Sequence, residues 1–284
     1  MVSFMRQFIR HYLLAVQFFT RIPVTGQLAD WVGFSPAMLR ASAAHFPGVG
    51  VLVGALLAAF TWALQTALPH NAYAPLVAAV LGTAWGVLLT GAFHEDGLAD
   101  VADGLGGTLD RERALIIMKD SRVGAFGAIA VVLALLSKVA LLALLGAVSP
   151  LLLAGALFMA HVVSRTWPLL LIRLLEHVGD LAGSKSKPLA DQITGWSLAA
   201  AGLWCALALA PLVAAQYAFN VMALELSALD WLKAVGLALL ASALAWGQMY
   251  RWFKRRLQGF TGDCLGTTQQ VCELAFYLGL ALAL

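Results

Sequence analysis

The sequence predicts an all-α fold: a polytopic transmembrane helical bundle of about seven spans plus an N-terminal amphipathic helix, in one integral-membrane domain over residues 1–284. Three observations predict it. Hydrophobic residues make up 61% of the chain and charged residues only 12%, where a soluble domain carries about 25% charged residues. Several apolar runs approach or exceed the roughly 20 residues that cross a hydrocarbon core. Those runs do not alternate and are too long for barrel strands, which leaves helices.

Residues 3–19 read as an amphipathic helix. Phe4, Phe8 and Tyr12 recur every fourth residue, as do Met5, Ile9 and Leu13, while Arg6 and Arg10 share another stripe. Such a helix lies in an anionic interface or packs on the bundle. Pro23 closes this 1–23 segment, because proline does not continue a helix interior. Residues 24–44 form a mixed connector with Gly26, Gly33 and Pro36. Spans are then expected at about 46–68, 73–93, 124–148, 150–175, 196–219 and 231–250, with a short last run at 271–284. Gly50 and Gly54 sit in small-residue positions of the first, Ser149-Pro150 make a tight turn, and Pro211 is a kink site in the fifth.

Charge gives the orientation. Basic residues gather at Arg6, Arg10 and Arg21; at Arg111, Arg113, Lys119 and Arg122; at Arg173, Lys185 and Lys187; and at Arg251, Lys254, Arg255 and Arg256. The connections near 69–72, 148–150 and 220–230 have no Lys or Arg. Alternation across seven spans places the N-terminus and the loops 94–122 and 251–270 in the cytoplasm. The net charge of +3 is small and reflects this placement, so no nucleic-acid partner is expected. Cys205, Cys264 and Cys272 form no CxxC pair, which argues against a disulfide framework and a zinc site. No small-residue cleavage site follows the N-terminal apolar part, so no cleaved signal peptide is expected.

The chemistry is concentrated in His94-Glu95-Asp96-Gly97-Leu98-Ala99-Asp100-Val101-Ala102-Asp103-Gly104. Asp96, Asp100 and Asp103 fall at spacings of four and three, one face of a helix. Like charges so placed weaken a helix unless a cation sits between them, and carboxylate oxygens suit Mg²⁺ or Ca²⁺. The bland alternative is an acidic, solvated loop. Lys119 and Arg122 flank Asp120 just before the third span and suit phosphate oxygens, although basic residues gather at cytoplasmic helix ends anyway. The loop 258–273 frames Asp263 with three glycines and follows it with Thr267 and Thr268, which makes Asp263 a candidate fourth carboxylate. Gln269 and Glu273 stand one turn apart. Within the apolar runs, Arg165 with His161, and Lys138 with no evident partner, are functional candidates because buried charge is costly there. His94, two residues from Asp96, is placed to orient a ligand or move a proton.

Phe19-Thr20-Arg21-Ile22-Pro23, Phe46-Pro47-Gly48-Val49-Gly50, the 94–104 stretch, Lys119-Asp120-Ser121-Arg122-Val123-Gly124, Ser164-Arg165 and Thr261-Gly262-Asp263-Cys264-Leu265-Gly266 occur in this order. Together they resemble the cobalamin synthase family, the adenosylcobinamide-GDP ribazoletransferases. Glu95 and Thr267 depart from the family pattern, where an apolar residue and Ala are common. The resemblance implies joining of α-ribazole, or its 5′-phosphate, to adenosylcobinamide-GDP with release of GMP, and a need for Mg²⁺. It implies that Asp96, Asp100 and Asp103, with Asp263 as a fourth, hold metal on the diphosphate, and that an aspartate or His94 takes the proton. Lys119, Arg122 and Arg165 would hold phosphate oxygens, with Arg21, Thr261 and Asp263 of the matching motifs as further substrate contacts. The expected setting is the bacterial cytoplasmic (inner) membrane, with the lipid bilayer as partner and a second copy or other enzymes of the cobalamin pathway as candidate protein partners. Two rivals are a CDP-alcohol-phosphotransferase-like lipid enzyme, whose aspartate spacing is wider, and a small-solute transporter, whose site would lie at the bilayer midplane.

Overall fold

The computed structural model describes residues 2–179, 193–219 and 228–284. Lys185 and Lys187 of the third basic segment lie outside the described residues. Among the described residues the chain is helical, apart from one isolated bridge between His177 and Phe260. The helices are α1 Val2–Phe19, α2 Gly26–Val32, α3 Pro36–Ser42, α4 Phe46–Ala67, α5 Ala74–Thr90, α6 Phe93–Gly107, α7 Arg111–Met118, α8 Ala125–Val148, α9 Pro150–Leu174, α10 Gly195–Phe219, α11 Ala228–Arg256 and α12 Gly262–Ala281.

Helix α1 packs on the bundle. Leu14, Ala15, Val16 and Phe19 are buried, while Met5 and Ile9 face outward. Its end is pinned where the Arg21 N–H donates to the Leu89 carbonyl at 2.7 Å. The connector at 24–44 is more ordered than its composition suggests. Ser35 caps α3 by accepting from the Met38 N–H at 3.1 Å, and a 3₁₀ turn, Ala43–His45, leads into α4.

Among the described residues, four helical stretches are long and apolar enough to cross a membrane: Pro36–Ala67, Ala125–Val148, Pro150–Leu174 and Leu229–Arg256. The α5–α6 pair would make five, but it bends by 88°. We read α5 as the crossing part and α6 as lying across its end. Seven spans were expected, and helices form in every one of those places. The difference is physical: α5 has only 17 residues, and α12 carries Asp263, Gln269, Gln270 and Glu273. Instead of facing lipid, α12 is buried against its neighbours, whereas α8 exposes Phe126, Ile129, Leu133 and Leu136, the surface a bilayer covers.

Small residues set the close contacts. A Cβ on Gly54 would meet the Phe158 carbonyl at 2.9 Å, so α4 and α9 approach backbone to backbone. A Cβ on Gly279 would meet the Leu237 carbonyl at 2.7 Å, which does the same for α12 and α11. The sharp corner between α5 and α6 uses two left-handed residues, Gly91 at φ 66° and Ala92 at φ 57°. Glycine adopts that geometry freely, but alanine pays about 1 kcal/mol or more for it. The strain sits at the entrance to the aspartate helix.

Candidate active site

The aspartates occupy α6, and α12 brings the fourth. Gly97 allows the meeting: a Cβ there would touch the Asp263 carbonyl at 2.8 Å. The Thr267 hydroxyl lies between the two backbones, 2.9 Å from the carbonyls of both Gly97 and Asp263. Thr261 caps α12 and donates its hydroxyl to the Asp263 carboxylate at 3.1 Å. Asp96 is exposed, Asp100 and Asp263 are half-buried, and Asp103 is buried. No Lys or Arg among the described residues pairs with Asp96, Asp100 or Asp263.

The electrostatics follow from that crowding. Burial, then the charges of Asp263, Asp96 and Asp103, push the Asp100 carboxyl up to about 7. Burial pushes Asp263 up to about 6, with the Thr261 hydrogen bond pulling down and the Asp96 charge adding to the rise. Asp103 is arranged differently. Its two oxygens accept from the backbone N–H groups of Gly127 at 2.8 Å and Gly124 at 2.7 Å, at the start of α8. It therefore caps a neighbouring helix as well as joining the acidic face.

Among the described residues, no three His, Cys, Asp or Glu side chains form a ready-made metal cage. The donor chemistry nonetheless fits an oxygen-seeking divalent cation. Four carboxylates interact, three of them unpaired, and a cation between them would relieve their mutual repulsion.

The cations fall into two groups. Arg21 is exposed and its side chain lies over Gly91, so it stands at the α5–α6 corner one turn before Asp96. Lys119 and Arg122 are also exposed, and Arg122 forms a forked pair with Asp120 whose Nε bonds measure 3.0 and 3.1 Å. That pairing holds the Asp120 carboxyl down at about 2. Arg165, by contrast, is 1% exposed and lies in the interior. Its Nη1 is 2.7 Å from His161 Nδ1 and its Nη2 is 3.3 Å from His94 Nε2. A guanidinium only donates, so both ring nitrogens accept. The protons therefore sit on His94 Nδ1 and His161 Nε2.

Beneath the carboxylates this arginine joins a buried polar network that the sequence indicates only in pieces. Glu273 takes Lys138 Nζ at 2.6 Å, Gln269 Nε2 at 2.6 Å and the Tyr277 hydroxyl at 2.9 Å. Gln269 also donates to Ser164 at 3.0 Å, and Gln270 donates to Glu95 at 3.0 Å. The missed members were Glu95, Ser164, Gln270 and Tyr277. A usable signal was the polar series Gln269, Gln270, Glu273 and Tyr277, one helix face inside an apolar run.

Fold and site together define an integral-membrane protein whose acidic chemistry is gathered where two helices meet beside a buried polar network. Residues 11–281 match the model of the cobalamin-5-phosphate synthase family, and the chain belongs to that family. It is 72% identical to the adenosylcobinamide-GDP ribazoletransferase of Albidiferax ferrireducens over 99% of this chain and 100% of that one. The protein of the same name from Polaromonas naphthalenivorans is 61% identical over 99% and 100%. That from Vibrio cholerae is 39% identical over 98% and 95%. No solved structure gives a significant match. The family makes the chain a transferase of a phosphorus-containing group.

Proposed function

We propose that the chain joins α-ribazole, or its 5′-phosphate, to adenosylcobinamide-GDP, with Mg²⁺ as cofactor, at the cytoplasmic face of the bacterial inner membrane. The observation that carries this reading is the closeness of Asp100 and Asp263 across the α6–α12 contact, neither paired with a Lys or Arg among the described residues. In the reaction, a ribazole hydroxyl oxygen bonds to the phosphorus that bears the cobinamide. The anhydride bond to GMP breaks, and GMP leaves with the electron pair. The hydroxyl proton passes to an aspartate of this cluster. Asp96, Asp100, Asp263 and the free lone pairs of Asp103 would hold Mg²⁺, which when bound supplies positive charge to the diphosphate and the departing GMP.

Arg21 at the α5–α6 corner is the cation placed to meet a phosphate beside Asp96, with Lys119 and Arg122 exposed further along. Arg165 acts through His94 and not on the phosphate directly. The cytoplasmic placement is supported by basic residues at the same end of the bundle. Arg256 donates to the carbonyls of Leu105 and Thr108, and Arg111 donates to that of Leu257 at 2.7 Å.

The test uses purified protein in lipid nanodiscs with adenosylcobinamide-GDP, α-ribazole and Mg²⁺. GMP release that stops with chelator and returns with Mg²⁺ is expected. Absence of GMP with every component present refutes the reading.

A further inference from the structure

An apolar slot lies where the starts of α6 and α12 meet the ends of α1 and α9, next to Asp263. Phe18, Phe19, Phe46 and Phe93 line it, with His94 in its wall. Phe19 stacks on Phe46 at 4.3 Å between ring centroids, and Phe93 stands edge-on to Phe18 and Phe19, both at 5.8 Å. His94 is edge-on to Phe46 at 5.7 Å and to Phe93 at 5.4 Å. The far wall includes Gly262 and Gly266, which flank Asp263.

His94 is 2% exposed, and its Nδ1 has no hydrogen-bond partner. Because Arg165 donates to Nε2, that orphaned atom is an N–H donor. Water answers it poorly. The free space is about 30 Å³, one water's worth, but a buried water needs two to four polar partners and the walls are otherwise apolar. The phosphates are excluded, since they would lose hydration without replacement. Guanine is disfavoured, because its several polar edge groups would face one donor. A flat, uncharged aromatic heterocycle with a single acceptor nitrogen fits the chemistry.

The geometry points to this slot as the subsite for the benzimidazole base of ribazole, with His94 Nδ1–H donating to its unsubstituted ring nitrogen. The inference rests on the transferase reading above and adds a place for one substrate. It sets the ribose toward Asp263, whose neighbour Gly262 lines the slot. A base is larger than the present free space, so Phe93, 38% exposed at the rim, swings outward to admit it.

The test compares α-ribazole with the matching dimethylindole riboside, which keeps the shape and carries C–H in place of the acceptor nitrogen. With wild-type protein, Mg²⁺ and adenosylcobinamide-GDP, the indole compound is expected to give a kcat/KM lower by about 10- to 100-fold, because a buried donor goes unmet. Phe93→Ala is expected to raise KM for ribazole about tenfold while leaving KM for adenosylcobinamide-GDP unchanged. Equal kcat/KM for the two ribosides, or a Phe93→Ala variant that moves both KM values alike, overturns the slot. GMP release without discrimination sinks the slot alone. No GMP from wild type sinks the activity reading and the slot with it.

Discussion

Replacing Lys138 by Met tests what holds α12 in place. Lys138 and Glu273 are side chains of 5% and 1% exposure, 2.6 Å apart, on α8 and α12. Removing one partner of a buried pair costs about 3–5 kcal/mol, because the other charge is left without compensation. Protonation sets a ceiling: neutralising a glutamate at pH 7 from an ordinary value near 4.3 costs about 3.7 kcal/mol. The Gln269 and Tyr277 hydrogen bonds remain and soften the loss. The expected destabilisation at pH 7 is therefore about 3 kcal/mol. At pH 5 the same protonation costs only about 1 kcal/mol, so the deficit should shrink.

The partner variant closes the cycle. Lys138→Met with Glu273→Gln removes both charges of the pair and leaves Arg165 as the buried charge of the network, and a neutral pair of similar volume is often no less stable than the ion pair. The double variant should recover most of the loss, giving a coupling energy of about 2 kcal/mol. Denaturant unfolding in mixed micelles at pH 5 and pH 7 reads all of this. A Lys138→Met deficit under about 1 kcal/mol, or a double variant as unstable as the single, refutes the reasoning. The pair matters to function because it fixes the rotation of α12, on which both Gln270 facing Glu95 and Asp263 facing α6 depend.

Two further outcomes concern the carboxylates directly. Asp100→Asn should abolish GMP release while the helical circular dichroism stays unchanged. Asp100 also sets a pH dependence. Its folded value near 7 lies above the usual aspartate value of 3.8, so its contribution to stability is complete below about 4 and is lost as pH rises through 7. Metal-free wild type should therefore melt lower at pH 8 than at pH 5, with Mg²⁺ raising the melting temperature mainly at pH 8. A metal-free melting temperature that does not fall between pH 5 and pH 8 counts against the crowded-carboxylate account. Gly97→Ala would place a methyl 2.8 Å from the Asp263 carbonyl and force α6 from α12. It should destabilise by about 1–3 kcal/mol and remove activity; a fully active Gly97→Ala enzyme would show that the close approach is dispensable.

Much of this was readable in the residues because membrane helices announce themselves by composition. The Asp96, Asp100, Asp103 spacing fixed a shared helix face before any coordinates. The corner at Gly91-Ala92 did not show, because Leu-Leu-Thr-Gly-Ala-Phe stays apolar through the turn and hydropathy does not register φ. The start of α12 read as a Gly- and Thr-rich loop. It is a helix because its polar side chains find partners on α6, α8 and α9. Those partners lie far along the chain, which is why Lys138 had none by local pattern. Arg165 looked like a phosphate ligand because, beyond His161 one turn away, its second partner His94 lies on another helix that only packing brings near.

Asp103 is where capping and metal binding make opposite demands on one side chain, and it can be tested against its neighbour. Each Asp103 oxygen already accepts one N–H at the start of α8, and Gly124 and Gly127 leave room for it by lacking a Cβ. Asp103→Asn puts an amide NH₂ where one of those N–H groups needs an acceptor. The loss of a cap bond with a donor left facing a donor should destabilise by about 1–2 kcal/mol. Asp100→Asn has the other sign, since at pH 8 it removes a carboxylate from a crowded group with no bound cation to answer it. With chelator present at pH 8, Asp103→Asn should therefore melt below wild type and Asp100→Asn above it. If both shift the same way, Asp103 is one more member of the repelling set and its bonds to α8 contribute little. If they diverge, the chain uses one aspartate to anchor the face on which the other three act.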